Sequence, residues 1–174
     1  MVKSVPYEVV KHLGDAELRR YGDMVLATVY DMDDDEAFSL LFQYISGNND
    51  QEVRLPMTAP VVSRTGRSAR SDSEAMMAFV LPSDVPFEGA PKPADPRVVL
   101  EVKKGGLFAV MRFRGRTGGV DVQSRTEELR SELKEADYLM DGRPFLMRYN
   151  SPFTPSFMRH NEVAVRVVPG PEKR

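Results

Sequence analysis

The chain has no cysteine and no tryptophan, and its 174 residues include only two histidines, His12 and His160. Without thiols there are no disulfides, no thiolate metal sites and no cysteine nucleophile, which fits a reducing, cytoplasmic setting. The two histidines stand in no H-x-x-x-H or zinc-finger spacing, so a metal-hydrolase reading has no support. An excess of one charge is also missing. The 24 basic and 26 acidic residues leave a formal net charge of −2, so no global field draws the chain onto nucleic acid or anionic lipid. No apolar run approaches the ~18–20 residues of a membrane helix, and Met1 to Val10 lacks the apolar core of a signal peptide. Nucleophile elbow, P-loop and Rossmann glycine turn are all absent. Carboxylates are plentiful, but nothing in their spacing pairs two as acid and base. These residues leave an enzyme unsupported without excluding one.

What is present suits one globular domain over residues 1–174. At this length a chain buries roughly 70% of its unfolded surface, and 41% hydrophobic with 29% charged residues is not a disordered composition. Tyr7, Val9 and Leu13, then Leu18 between Glu17 and Arg19, alternate as strands do around the turn Gly14-Asp15. Met24 to Tyr30 is apolar on both sides, the pattern of a strand covered on both faces. Asp33 to Glu36 then opens a helix whose stripe is Ala37, Phe38, Leu41, Phe42 and Ile45, with negative charge where the macrodipole favours it and Gly47 as its stop. Strands are expected over Val53 to Val62 and Met76 to Leu81, with a loop from Thr65 to Ser73 between them. Four prolines make residues 83–96 an extended strap. Val98 to Val102 and Leu107 to Phe113 read as a hairpin turning at Gly105-Gly106. A second helix is expected from Ser124 to Ala136, capped by Ser124 and Glu127, followed by strands at Phe145 to Tyr149 and Val163 to Val167.

The order predicts an α+β fold, an antiparallel, barrel-like sheet with two helices outside. Two strand-strand-helix-strand-strand halves, about 5–82 and 97–169, are related by an internal repeat. Pro56-Met57-Thr58 and Pro152-Phe153-Thr154 recur at similar offsets from the two helices.

Few residues stand out chemically. Phe38, Phe42, Met57, Phe153 and Met158 could line an apolar cleft, although ordinary core packing explains each singly. Arg112, Arg114 and Arg116 alternate on one strand face and could hold an anion, or simply face solvent. His160 could ligate heme iron, or be a structural histidine.

Several blocks, in order along nearly the whole chain, carry a resemblance. They are Tyr7-Glu8-Val9, Glu17-Leu18-Arg19-Arg20-Tyr21, Tyr44-Ile45-Ser46-Gly47-Asn48-Asn49, Met57-Thr58-Ala59-Pro60-Val61, Phe79-Val80-Leu81-Pro82, Pro91-Lys92-Pro93, Phe113-Arg114-Gly115, Tyr149-Asn150-Ser151-Pro152 and Arg159-His160-Asn161-Glu162-Val163. Together they resemble the SOUL heme-binding family. The resemblance implies a distorted antiparallel barrel-like sheet with two pseudo-symmetric halves, related to bacterial effector-binding domains. It also implies an apolar groove beside the first helix that takes heme or another tetrapyrrole. Phe38, Phe42, Phe153 and Met158 are then the expected apolar contacts and His160 the candidate iron ligand. The expected role is a soluble buffer or carrier of an apolar small molecule, without nucleic acid or membrane partners. The alternative is a small-molecule effector-binding module. Arg20 stands where some members have histidine, and Asp35, Gln43 and Thr154 stand where others have basic residues.

Overall fold

The computed structural model describes residues 2–64, 75–114, 119–150, 155 and 158–173. In chain order the strands are β1 (Lys3–Ser4), β2 (Tyr7–Leu13), β3 (Ala16–Tyr21), β4 (Met24–Tyr30), β5 (Thr58–Ala59), β6 (Val61–Arg64), β7 (Met76–Val80), β8 (Val99–Lys103), β9 (Gly106–Arg114), β10 (Tyr138–Met140), β11 (Phe145–Arg148) and β12 (His160–Pro169). The helices are α1 (Asp34–Ile45) and α2 (Gly119–Glu135). They form two compact units, one of Met1–Val5 with Asp23–Lys104 and the other of Pro6–Gly22 with Gly105–Arg174. The first strands after β1 thus pack with the C-terminal part of the chain. No helix among the described residues is long and apolar enough to cross a membrane.

The sheet of the first unit runs β6-β7-β4-β8 and every pairing is antiparallel. Its apolar strand β4 lies between β7 and β8, and Leu26, Ala27 and Val29 are buried. α1 forms because Asp33 caps it, its side chain accepting from the Glu36 amide at 2.9 Å, with Asp34, Asp35 and Glu36 at the positive end of the dipole. It buries Ala37, Leu40, Leu41, Tyr44 and Ile45 against Ala27, Val29, Met77 and Phe79 of β4 and β7. Beyond α1 the chain turns at Gly47, whose φ of +120° suits glycine.

The end of α1 is stitched to the proline strap. The Tyr44 hydroxyl donates to the Pro91 carbonyl at 2.6 Å, and the Lys92 amide donates to the Asp50 carboxylate at 2.7 Å. Asn49 is buried; its amide group donates to the carbonyls of Tyr44 and Val53 at 3.0 and 2.8 Å. Two of the sequence blocks, Tyr44 to Asn49 and Pro91 to Pro93, are therefore partners in space.

The sheet of the second unit runs β2-β3-β9-β12-β11, with β10 also on β12, all antiparallel. Leu129 and Leu133 of α2 close a core over Leu18, Ala109, Met111, Phe113, Leu146, Val163, Val165 and Val167. The two units share one arrangement. A strand (β4 or β9) is followed by a helix and three strands, and the sheet orders β6-β7-β4-β8 and β11-β12-β9-β3 correspond. The α+β class with antiparallel sheets and two helices is as expected.

Three details differ from the sequence reading. β8 and β9 form no hairpin, because β8 pairs with β4 while β9 pairs with β3 and β12. Gly106 instead lets the Arg166 guanidinium approach, since a Cβ there would sit 2.8 Å from Arg166 Nη1, which donates to the Gly105 carbonyl. α2 starts at Gly119, so Ser124 is inside the helix and caps nothing; Val122 packs on the core and extends the apolar stripe. Finally, residues 53–57 form no strand: the Val53 amide donates to Asn49 at 3.1 Å and the Leu55 amide to the Ile45 carbonyl at 2.7 Å, so these amides are taken by the end of α1 and the turn after it, and β5 begins only at Thr58. The Thr65 to Ser73 loop and the Pro152-Phe153-Thr154 repeat lie outside the described residues.

Candidate functional site

Residues i and i+4 of a helix share a face, and α1 places Phe38 and Phe42 in this way. Their rings stack with centroids 6.2 Å apart and planes at 13°. Phe38 also meets the edge of buried Phe79 at 5.2 Å and 65°. One end of this aromatic run is thus fixed in the core and the other is presented outward, with Phe42 51% exposed. A half-exposed phenylalanine is not what the helical stripe predicts. Buried Tyr44 takes the place expected for Phe42, because the core-facing side of α1 is centred on Leu41. Ser39 and Gln43 border the aromatic pair, Gln43 Nε2 donating to Ser39 Oγ at 3.2 Å. At the N-terminal end Glu36 pairs with Arg97 at 3.3 Å, and Arg97 with Asp95 at 2.8 Å.

The other expected contacts lie elsewhere. Met158 belongs to the second unit and is 57% exposed; Met57 is half-buried against the first unit's core. Phe153 lies outside the described residues. His160 opens β12, its ring stacked on Tyr149 at 4.6 Å. Its Nε2 is buried and turned toward Glu162 Oε2 at 3.4 Å, leaving Nδ1 as the ring nitrogen directed away from that carboxylate. Of the three alternating arginines, Arg112 is exposed and 3.9 Å from Glu162, Arg114 is exposed, and Arg116 lies outside the described residues.

The second unit holds a constellation that sequence reading missed. On the sheet face away from α2, Arg19 and Glu162 are each only 1% exposed and form a two-pronged ion pair at 2.8 and 2.5 Å. Arg19 Nε donates to Glu17 at 3.0 Å, Nη1 also donates to the Tyr21 hydroxyl at 2.9 Å, and the guanidinium lies 4.0 Å over the Tyr7 ring. Burial pushes the Glu162 carboxyl up, but hydrogen bonds from His160 and Arg19 with the Arg19 charge outweigh it and hold the carboxyl at about 2. Burial lowers Arg19, and Glu162 more than restores it, so its guanidinium stays charged. Burial and the Glu162 charge raise the Tyr149 hydroxyl well above its ordinary value, so it stays protonated. A charged residue beside Leu18 reads in sequence as solvent-facing. The register contradicts this, because Leu18 faces α2 and Arg19 the opposite, equally buried face.

Chemically, the α1 surface offers a flat apolar platform for a planar ligand. The Arg19–Glu162 cluster offers paired charges with their hydrogen-bond capacity taken up. Among the described residues, no three of His, Cys, Asp and Glu gather as a metal site.

Comparison with known proteins gives consistent results. The chain matches the SOUL heme-binding protein family over residues 2–166. It is 32% identical to Heme-binding protein 2 of Homo sapiens over 159 residues, covering 86% of this chain and 77% of that protein. Against Heme-binding protein 1 of Bos taurus the identity is 25% over 130 residues, covering 74% and 67%. Among solved structures, the EcmrR C-terminal domain superposes with a TM-score of 0.65 at 11% identity, covering 94% of this chain and 98% of that one. A hydrolase from Listeria innocua gives a TM-score of 0.65 at 13% identity, covering 91% and 94%. At such identities these two structures speak to the fold alone.

Proposed function

The chain belongs to the SOUL heme-binding protein family, and from that premise we propose that it binds heme or another tetrapyrrole and acts as a cytoplasmic buffer or carrier rather than as an enzyme. The observation that carries the reading is the aromatic run Phe79-Phe38-Phe42, anchored in the core and half-exposed at its outer end. A planar macrocycle stacks on such a platform without rearranging the helix, because Phe38 is already held by Phe79. Met158 and Phe153 are the further apolar contacts of the proposal.

The residues present fit the macrocycle better than its carboxylates. Asp35 is exposed on α1 and Gln43 is engaged with Ser39, so neither supplies a cation to a propionate. Affinity then rests mainly on apolar contact. When bound, the tetrapyrrole supplies its own light absorption and, with iron, its own redox chemistry. The chain's part is to hold a face of the ring. If His160 meets iron, it would do so through Nδ1, since Nε2 is buried and faces Glu162 Oε2 at 3.4 Å.

The test is a hemin titration followed in the Soret band, with wild type, Phe42→Ala, Met158→Ala and His160→Ala side by side. Saturation near one equivalent, weakened by Phe42→Ala and Met158→Ala, is the expected result. A spectrum changed by His160→Ala would make that residue a ligand of the iron. A linear, unsaturable rise matching that of an unrelated protein would overturn the reading.

A further inference from the structure

The tetrapyrrole reading touches the buried cluster around Arg19 only through His160, and the geometry of that cluster is that of a receptor. A planar cation is recognised by acceptors in its plane and an aromatic ring on its face. The Arg19 guanidinium has all of these. The Glu162 carboxylate grips Nη1 and Nη2, Glu17 takes Nε, the Tyr21 hydroxyl takes Nη1, and the Tyr7 ring covers one face at 4.0 Å. The receptor is assembled from three strands, with Tyr7 on β2, Glu17 and Tyr21 on β3 and Glu162 on β12.

The groups around the carboxylate hold it ready for a cation. Tyr149 packs on His160, and His160 faces Glu162. Tyr21 is in turn fixed by the Phe108 edge at 5.6 Å. His160 and Arg112 approach the Glu162 carboxylate at 3.4 and 3.9 Å from the sides that Arg19 does not occupy. With Arg19 removed, Glu162, 1% exposed, keeps these two long contacts to basic side chains among the described residues, and a buried carboxylate without a close cation is costly.

We propose that this cluster is a binding site for a planar, guanidinium-type cation, which the chain fills with its own side chain. Arg19 is an internal ligand, and by occupying the site it closes it to organic cations from solution. Tethering explains the closure, since a group on a neighbouring strand competes at an effective concentration that a dissolved ion does not reach. The inference stands apart from the tetrapyrrole reading and survives its failure.

The experiment empties the site with Arg19→Ala in the full chain and offers methylguanidinium. N-methylurea, nearly the same shape without the charge, is the control, and both are titrated into wild type, Arg19→Ala and Arg19→Ala/Glu162→Gln. The expected result is a saturable rise in unfolding midpoint, roughly 5–10 °C at a hundredfold excess over the dissociation constant. It should occur with methylguanidinium only and in Arg19→Ala only. If Arg19→Ala is unfolded at rest, recovery of its circular dichroism by methylguanidinium and not by N-methylurea is the same result read in another signal. Equal responses to the two probes, an equal response in wild type or in the double variant, or no response at all would overturn the proposal.

Discussion

Replacing Glu162 by glutamine keeps the shape of the side chain and removes its charge, leaving Arg19 buried at 1% exposure with Glu17 as its one charged partner among the described residues. Two routes give the cost. A carboxyl held at about 2 rather than its ordinary 4.5 corresponds to about 3 kcal/mol of folded-state stabilisation. Breaking one side of a buried ion pair costs roughly 3–5 kcal/mol. The two agree, so the expected loss in urea denaturation at neutral pH is about 3–4 kcal/mol. The folded-state value lies below the ordinary one. The contribution is therefore complete above about pH 5 and is lost as pH falls toward 2. Wild type and Glu162→Gln should accordingly converge in stability as pH is lowered through that window. A gap below about 1 kcal/mol at neutral pH, or one that stays constant down to acid pH, would refute the account of Glu162 as a buried, ionised partner.

Other substitutions test the remaining contacts. Phe42→Ala, at a half-exposed position, should leave stability within about 0.5 kcal/mol while weakening hemin roughly 2- to 12-fold in the Soret titration. Burial, with the Asp50 charge second, pushes the Tyr44 hydroxyl up to about 12, so it remains a donor to Pro91. Tyr44→Phe should therefore lose about 1–3 kcal/mol in a thermal melt. Asp33→Ala removes the cap on α1 and should cost about 1 kcal/mol, seen as a lower unfolding midpoint with unchanged hemin spectrum at saturation.

Much of the fold was legible from local chemistry. The acid run before Ala37 marked the start of α1, the two-sided apolar run 24–30 marked a central strand, and alternation marked β3, β9 and β12. What misled was chemistry that fits more than one partner. Gly105-Gly106 suits a tight hairpin as well as it suits the approach of Arg166, and only the pairing of β8 with β4 and of β9 with β3 and β12 separates the two. Ser124 and Glu127 have capping-box spacing, but the helix runs through them to Gly119. In the candidate site, Phe38 and Phe42 were identified from helical spacing, yet that spacing does not tell a core phenylalanine from a displayed one.

The sequence by itself determined the fold class, because composition and periodicity are local or additive properties. Segment order also sufficed for two helices among antiparallel strands and for family membership. The tertiary structure alone decided which alternating face is wet. Arg19 and Glu162 lie 143 residues apart, and each reads as an ordinary surface charge on its strand. They became a buried pair because β3 and β12 flank β9 in one sheet whose two faces are both covered, and burial of a face is a property of the assembled sheet rather than of any strand within it.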